Sequence, residues 1–83
     1  MNIVVLTPEK EVYQGAAKAV NVPGVNGQFE ILNNHAPLVS SLKTGKVKLT
    51  LEDGGSKEFQ ISRGFVEVLK NEVSLLVQGY SEE

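Results

Sequence analysis

A chain of 83 residues with net charge −2 and no cysteine is bounded before any motif is read. One small domain spanning residues 1–83 is expected, burying little more than ~60% of its unfolded surface, with no disulfide framework and no thiolate metal site. Mixed charge without a basic cluster argues against nucleic acid as a partner, and no apolar run approaches the ~20 residues of a membrane-spanning helix.

In chain order, Ile3-Val4-Val5-Leu6 is too short for a signal-peptide core and has no basic segment before it, so the chain reads as soluble and free of a targeting signal. The run reads instead as a strand buried on both faces or covered by a neighbour, closed by Thr7-Pro8. Glu11-Val12-Tyr13 predicts a short strand ending at Gly15, and Lys18-Ala19-Val20-Asn21-Val22 a second one with Val20 and Val22 on one face. Pro23-Gly24 and Asn26-Gly27 predict two tight reversals, because proline holds φ near −65° and glycine accepts positive φ. Phe29 and Ile31 then alternate with Gln28 and Glu30, the period of a half-buried strand. Asn33-Asn34-His35-Ala36-Pro37 is a further polar reversal before the extended segment Leu38–Leu42.

The clearest alternation lies in Lys46–Glu52, where Val47, Leu49 and Leu51 interleave with polar residues. Asp53-Gly54-Gly55-Ser56 is a hairpin turn, and the return strand Lys57–Ile61 points Phe59 and Ile61 inward. Lys48 is expected to meet Glu58 or Gln60 across the pair. Ser62-Arg63-Gly64 turns the chain into Phe65–Leu69, Lys70-Asn71-Glu72 turns it again, and Val73–Val77 is the last strand. Gly79–Glu83 reads as a frayed polar end. No window has a convincing 3.6-residue period, so the fold class is all-β: a small two-sheet β-sandwich or flattened barrel of short, mostly antiparallel strands.

Little in the chain carries chemistry. Thr44-Gly45-Lys46 lacks the earlier glycine and the following Ser or Thr of a phosphate loop, and a strand follows it where a helix is needed. His35 is the single imidazole, with Glu30 the one nearby carboxylate, too few for a metal site or a catalytic set. It reads as a loop histidine bonded to backbone, or as an interface residue. No catalytic residue, cofactor or metal is expected. The strands Ile3–Leu6, Phe65–Leu69 and Leu75–Val77 carry apolar residues on both faces, which suits either a fully covered sandwich or a partner-binding face.

The ordered series Val5-Leu6-Thr7-Pro8, Val12-Tyr13-Gln14-Gly15, Val22-Pro23-Gly24, Gly27-Gln28-Phe29, Leu32-Asn33-Asn34-His35-Ala36-Pro37-Leu38, Leu42, Gly45, Val47 and Ser62-Arg63-Gly64-Phe65 resembles the N-terminal β-sandwich domain of the epsilon subunit of F-type ATP synthases. Glu30, Asn33 and Arg63 stand where that family usually has Gly, Pro and Gly. Family members typically continue into a C-terminal helical hairpin, whereas this sequence ends after the last strand, so inhibition or ATP binding through such a hairpin is not carried over. The resemblance implies a non-catalytic rotor component at the cytoplasmic face of a bacterial inner membrane, peripheral through its partners. Those partners would be the gamma subunit and the c-ring, and the subunit would couple proton-driven rotation to ATP synthesis. By family position Thr7, His35, Leu38 and Ser40 would lie towards gamma, and Gly27 and Gln28 towards the c-ring. The competing readings are a stand-alone β-sandwich module binding a ligand or another protein, and a small enzyme built on His35 and a carboxylate.

Overall fold

Period-two alternation passes into the structure almost residue for residue. A computed structural model describes residues 1–82 and contains eight strands: β1 (Asn2–Leu6), β2 (Glu11–Gly24), β3 (Gly27–Leu32), β4 (Leu38–Leu42), β5 (Gly45–Leu51), β6 (Ser56–Ile61), β7 (Arg63–Leu69) and β8 (Glu72–Gln78). They form two layers. The first layer runs β1–β8–β7–β4, with the opening half of β2 on the far side of β1. The second is β3–β2–β5–β6, built on the later half of β2. All pairings are antiparallel except β1 with β8. The expected two-sheet sandwich is therefore the fold, with one strand shared by both sheets.

Between the layers lie the inward residues of every strand. Val5, Val20, Val22, Ile31, Val47, Leu49, Val66 and Leu75 are fully buried, and Phe59 is the largest side chain among them. Removing this apolar area from water is the main stabilising term, at ~25 cal/mol per Å2. No charged or polar side chain is buried among the described residues, and the Met1 ammonium at the edge of the core donates to the Ala17 carbonyl and to Asn33 Oδ1.

Three expectations need correction and one is refined. Tyr13 and Val20 belong to one continuous strand, because Gly15 stays extended opposite Ile3 and a register shift between Ala17 and Ala19 bends β2 from one sheet into the other. Pro23-Gly24 is not a reversal. Both residues remain in β2, paired with Gln28 and Gly27, and the chain turns at Val25-Asn26. Glu58 lies opposite Lys48 in register, as expected, and its ion pair is the diagonal one to Lys46, at 3.4 Å.

The fourth concerns the expected frayed end. Ser81 exchanges two backbone hydrogen bonds with Gln60 on the outer edge of β6, at 2.8 and 3.0 Å. The Tyr80 ring stacks at 4.9 Å on Phe59, and Glu82 accepts from Lys57 Nζ (2.6 Å) and from the Tyr80 hydroxyl. The segment thus covers an otherwise open strand edge and one end of the core. Glu83 lies outside the described residues.

Candidate docking face

The two sheets differ on their outward sides. On the second, the outward residues include Glu30, Lys46, Lys48 and Glu58, all exposed and charged. On the first, alternation places apolar residues where charges would be expected. Strand β7 buries Val66 and Val68, leaving Phe65 and Leu69 outside. Strand β8 buries Val73, Leu75 and Val77 and leaves Leu76 outside. Phe65 is 54% exposed, Leu76 50% and Val39 70%.

Strand register joins these residues into one surface. Ser41, Phe65, Leu76 and Leu6 follow one another across β4, β7, β8 and β1. One row over, Val39 lies beside Glu67, then Ser74 and Val4. The first row opens into a groove of about 560 Å3, rimmed by Thr7, Arg63 and Gln78. At its floor Gly64 is required by close approach, since a Cβ there would collide with the Leu76 carbonyl oxygen. Isolated exposed apolar residues are normal, but Phe65, Leu76 and Leu6 are contiguous across three strands with Val39 on the next, the kind of patch that distinguishes interaction surfaces from ordinary ones.

The residues expected to face partners do not form one cluster. Thr7 is at the groove rim, its Oγ1 accepting from Glu9 N and Lys10 N at 3.3 and 3.1 Å, so the hydroxyl closes its own turn. Leu38 and Ser40 are half-buried and share the side of β4 that carries Leu42, so they lean towards the core while Val39 and Ser41 point out. His35 precedes β4 at the end away from Thr7: Leu38, where the strand begins, is already four rows or about 13 Å from the row of Thr7 at ~3.3 Å per residue. Its Nδ1 donates to the Ala36 carbonyl at 2.7 Å, which can only accept, so that nitrogen holds the proton. Asn34 N donates to Asn71 Oδ1 at 2.8 Å and pins the same loop to the β7–β8 turn. The backbone-bonded reading of His35 is the observed one.

Gly27 and Gln28 are exposed at the tip of the β2–β3 hairpin, where Gly27 has a φ of 131° that favours glycine. The tip is anchored to the first sheet: Val25 N donates to Ser41 O at 3.1 Å, and Lys43 N to Pro23 O at 2.9 Å. The hairpin tip and the apolar row therefore meet at Ser41. Val39, Phe65 and Leu76 were not singled out one by one from the sequence. Their signal was the double-faced apolar character of Phe65–Leu69 and Leu75–Val77. Among the described residues no three His, Asp or Glu side chains are grouped so as to hold a metal ion.

The sequence profile of the ATP synthase delta/epsilon chain β-sandwich domain matches residues 1–82. The chain belongs to this family. The ATP synthase epsilon chain of Chlorobaculum tepidum is 44% identical to it over 77 residues, covering 93% of this chain and 88% of that one. Among solved structures, a chain in the OSCP/F1/c-ring assembly of the Euglena gracilis mitochondrial ATP synthase superposes with a TM-score of 0.90 at 20% identity, over 96% of this chain and 51% of that one. A chain in the central stalk/c-ring structure of the Tetrahymena thermophila mitochondrial enzyme does so with a TM-score of 0.83 at 20% identity, over 99% and 66% respectively. At that identity the two structures speak for the fold alone, which all three chains share.

Proposed function

We propose that this epsilon-family chain is a non-catalytic component of the rotor, clamped between the gamma subunit and the c-ring so that ring rotation driven by protons turns gamma. The observation that carries the proposal is the contiguous apolar row Phe65–Leu76–Leu6 with Val39 beside it, on a sheet whose other side is already the core. A rotor clamp has to hold under torque. A dehydrated apolar centre with a polar rim resists sliding better than surface ion pairs, each worth ~0–1 kcal/mol. In this reading gamma covers the outer face of the first sheet, with Thr7 at its rim. The Gly27-Gln28 tip, exposed and braced against Ser41, is the element offered to the c-ring. His35, Leu38 and Ser40 support the gamma side from behind: His35 sets the loop entering β4, and Leu38 packs on the core beneath Val39. The chain works at the cytoplasmic face of a bacterial inner membrane and touches the bilayer only through its partners.

The Euglena and Tetrahymena neighbours belong to a c-ring assembly and a central stalk/c-ring assembly, which supports this placement by family analogy. Titration with the gamma subunit of the same organism, followed by calorimetry and native mass spectrometry, tests it. A one-to-one complex of micromolar affinity or better is the expected result. No complex with a folded gamma would overturn the reading and bring forward a stand-alone binding module that uses the same groove.

A further inference from the structure

We propose that β7 gives the docking face a charge order, so that the surface it accepts carries an acidic group over Arg63, apolar side chains over Phe65, and a basic group over Glu67. The inference rests on the gamma-docking reading and specifies the chemistry of that partner surface. The outward positions of β7 are Arg63, Phe65, Glu67 and Leu69, all exposed and spaced ~6.6 Å apart along the strand. The cation and the anion therefore bracket the aromatic ring at a separation of ~13 Å.

Both charges are free to be used. Among the described residues neither Arg63 nor Glu67 takes part in an ion pair; the two pairs present, Lys46–Glu58 and Lys57–Glu82, lie elsewhere. Across the strands Glu67 faces Val39 and Ser74, and Arg63 faces Gln78, so neither has an opposite charge directly across from it. Glu72, opposite Leu69, extends the acidic end. Arg63 is also oriented in advance. Its Nε donates to Gln78 Oε1 at 2.6 Å, which holds the guanidinium plane and leaves both terminal amino groups for a carboxylate in two-point contact. The Gly64 contact with the Leu76 backbone fixes β7 against β8 at this place, so Arg63 and Phe65 are set as a unit.

Covering such a face changes the electrostatics. A charge taken from water without a counter-charge is costly, and attraction between opposite charges strengthens as water leaves. A partner turned end for end would set acid against Glu67 and base against Arg63, so the order selects one orientation as well as one partner. A clamp that transmits torque needs that single orientation. On the second sheet, by contrast, Lys46 and Glu58 already pair with each other at 3.4 Å.

The test is a binding titration of the gamma subunit from the same organism with the parent chain, Arg63→Glu, Glu67→Lys, and the double reversal, at low and high salt. Melting curves verify that each variant is folded, as expected for exposed positions. Each single reversal should weaken binding by roughly tenfold or more, chiefly through slower association and with the loss shrinking at high salt. The double reversal should bind more weakly than either. If the parent binds gamma and the reversals are indistinguishable from it at low salt, the charge order is overturned while gamma docking stands. If the parent itself does not bind, both fall.

Discussion

The outer faces of the two sheets start from the same strand geometry and end in opposite chemistry. On the second sheet, Lys46, Lys48, Glu30 and Glu58 project into water, and one diagonal pair is closed. On the first, Phe65, Leu76 and Val39 project instead, with Arg63 at one end of the row and Glu67 set between Phe65 and Leu69. Both sheets bury their inner faces equally well, so stability does not call for the difference. What differs is the fate of the outer face in the proposed function: one is finished by water, the other is covered by a protein surface. Variants on each face should therefore separate folding from binding.

The largest effect is expected where the faces do not matter, in the shared core. Phe59→Ala should cost ~3–5 kcal/mol through the cavity it leaves, out of a total of ~5–10 kcal/mol for a domain this small. Circular dichroism melting should find the variant close to unfolded at 37 °C; a melting temperature near that of the parent would remove Phe59 from the core. Phe65→Ser with Leu76→Ser should do the reverse, costing at most ~1 kcal/mol of stability through a lost cross-strand pair yet ~2 kcal/mol or more of gamma affinity. Calorimetry on the folded variant reads both. Gly64→Ala should cost ~1–3 kcal/mol, because the added methyl collides with backbone that cannot swing aside, and urea unfolding measures it.

A smaller effect depends on pH and belongs to the C-terminal segment. Burial, then the hydrogen bond to Glu82 and its charge, push the Tyr80 hydroxyl from 10.0 up to about 12. The folded chain thus keeps this proton where the unfolded chain has lost it. Its contribution to stability is complete below pH 10 and declines as pH rises towards about 12. Glu82 runs the other way: hydrogen bonds from Lys57 and then Tyr80 hold its carboxyl below the ordinary 4.5, so its contribution is present above that value and lost as pH falls through the lowered one. Urea unfolding across pH should show the alkaline decline in the parent and a weaker one in Tyr80→Phe. The smallest effect is expected on the polar face. Glu58→Gln opens the Lys46 pair and should shift stability by less than ~0.5 kcal/mol, with gamma affinity unchanged.

The β5–β6 hairpin was legible because every local signal agrees there: unbroken alternation, a Gly-rich turn, and Phe59 and Ile61 returning to the same side. Strand β2 was not, because glycine and proline punctuate a chain only when nothing distant holds them. Gly15 is kept extended by its pairing with Ile3, and Pro23 stands past the end of the β5 pairing at Asn21, where its carbonyl still accepts from Lys43. The Ser81–Gln60 bridge is a single non-local contact that no pattern of period two announces. The docking face lay between these cases. Phe65–Leu69 and Leu75–Val77 show by alternation that both their sides are apolar, but only the register across β4, β7, β8 and β1 tells which side is core and gathers the other into one row.

The most direct measurement is a methyl NMR titration of the labelled chain with the gamma subunit of the same organism. Leu76 and Val39 report on the first sheet, and Leu32, exposed at 53% on the outward side of β3, serves as the control on the second. The account predicts that the Leu76 and Val39 methyls shift or broaden on binding while Leu32 stays in place. Binding that moves Leu32 and leaves Leu76 and Val39 unperturbed would contradict it.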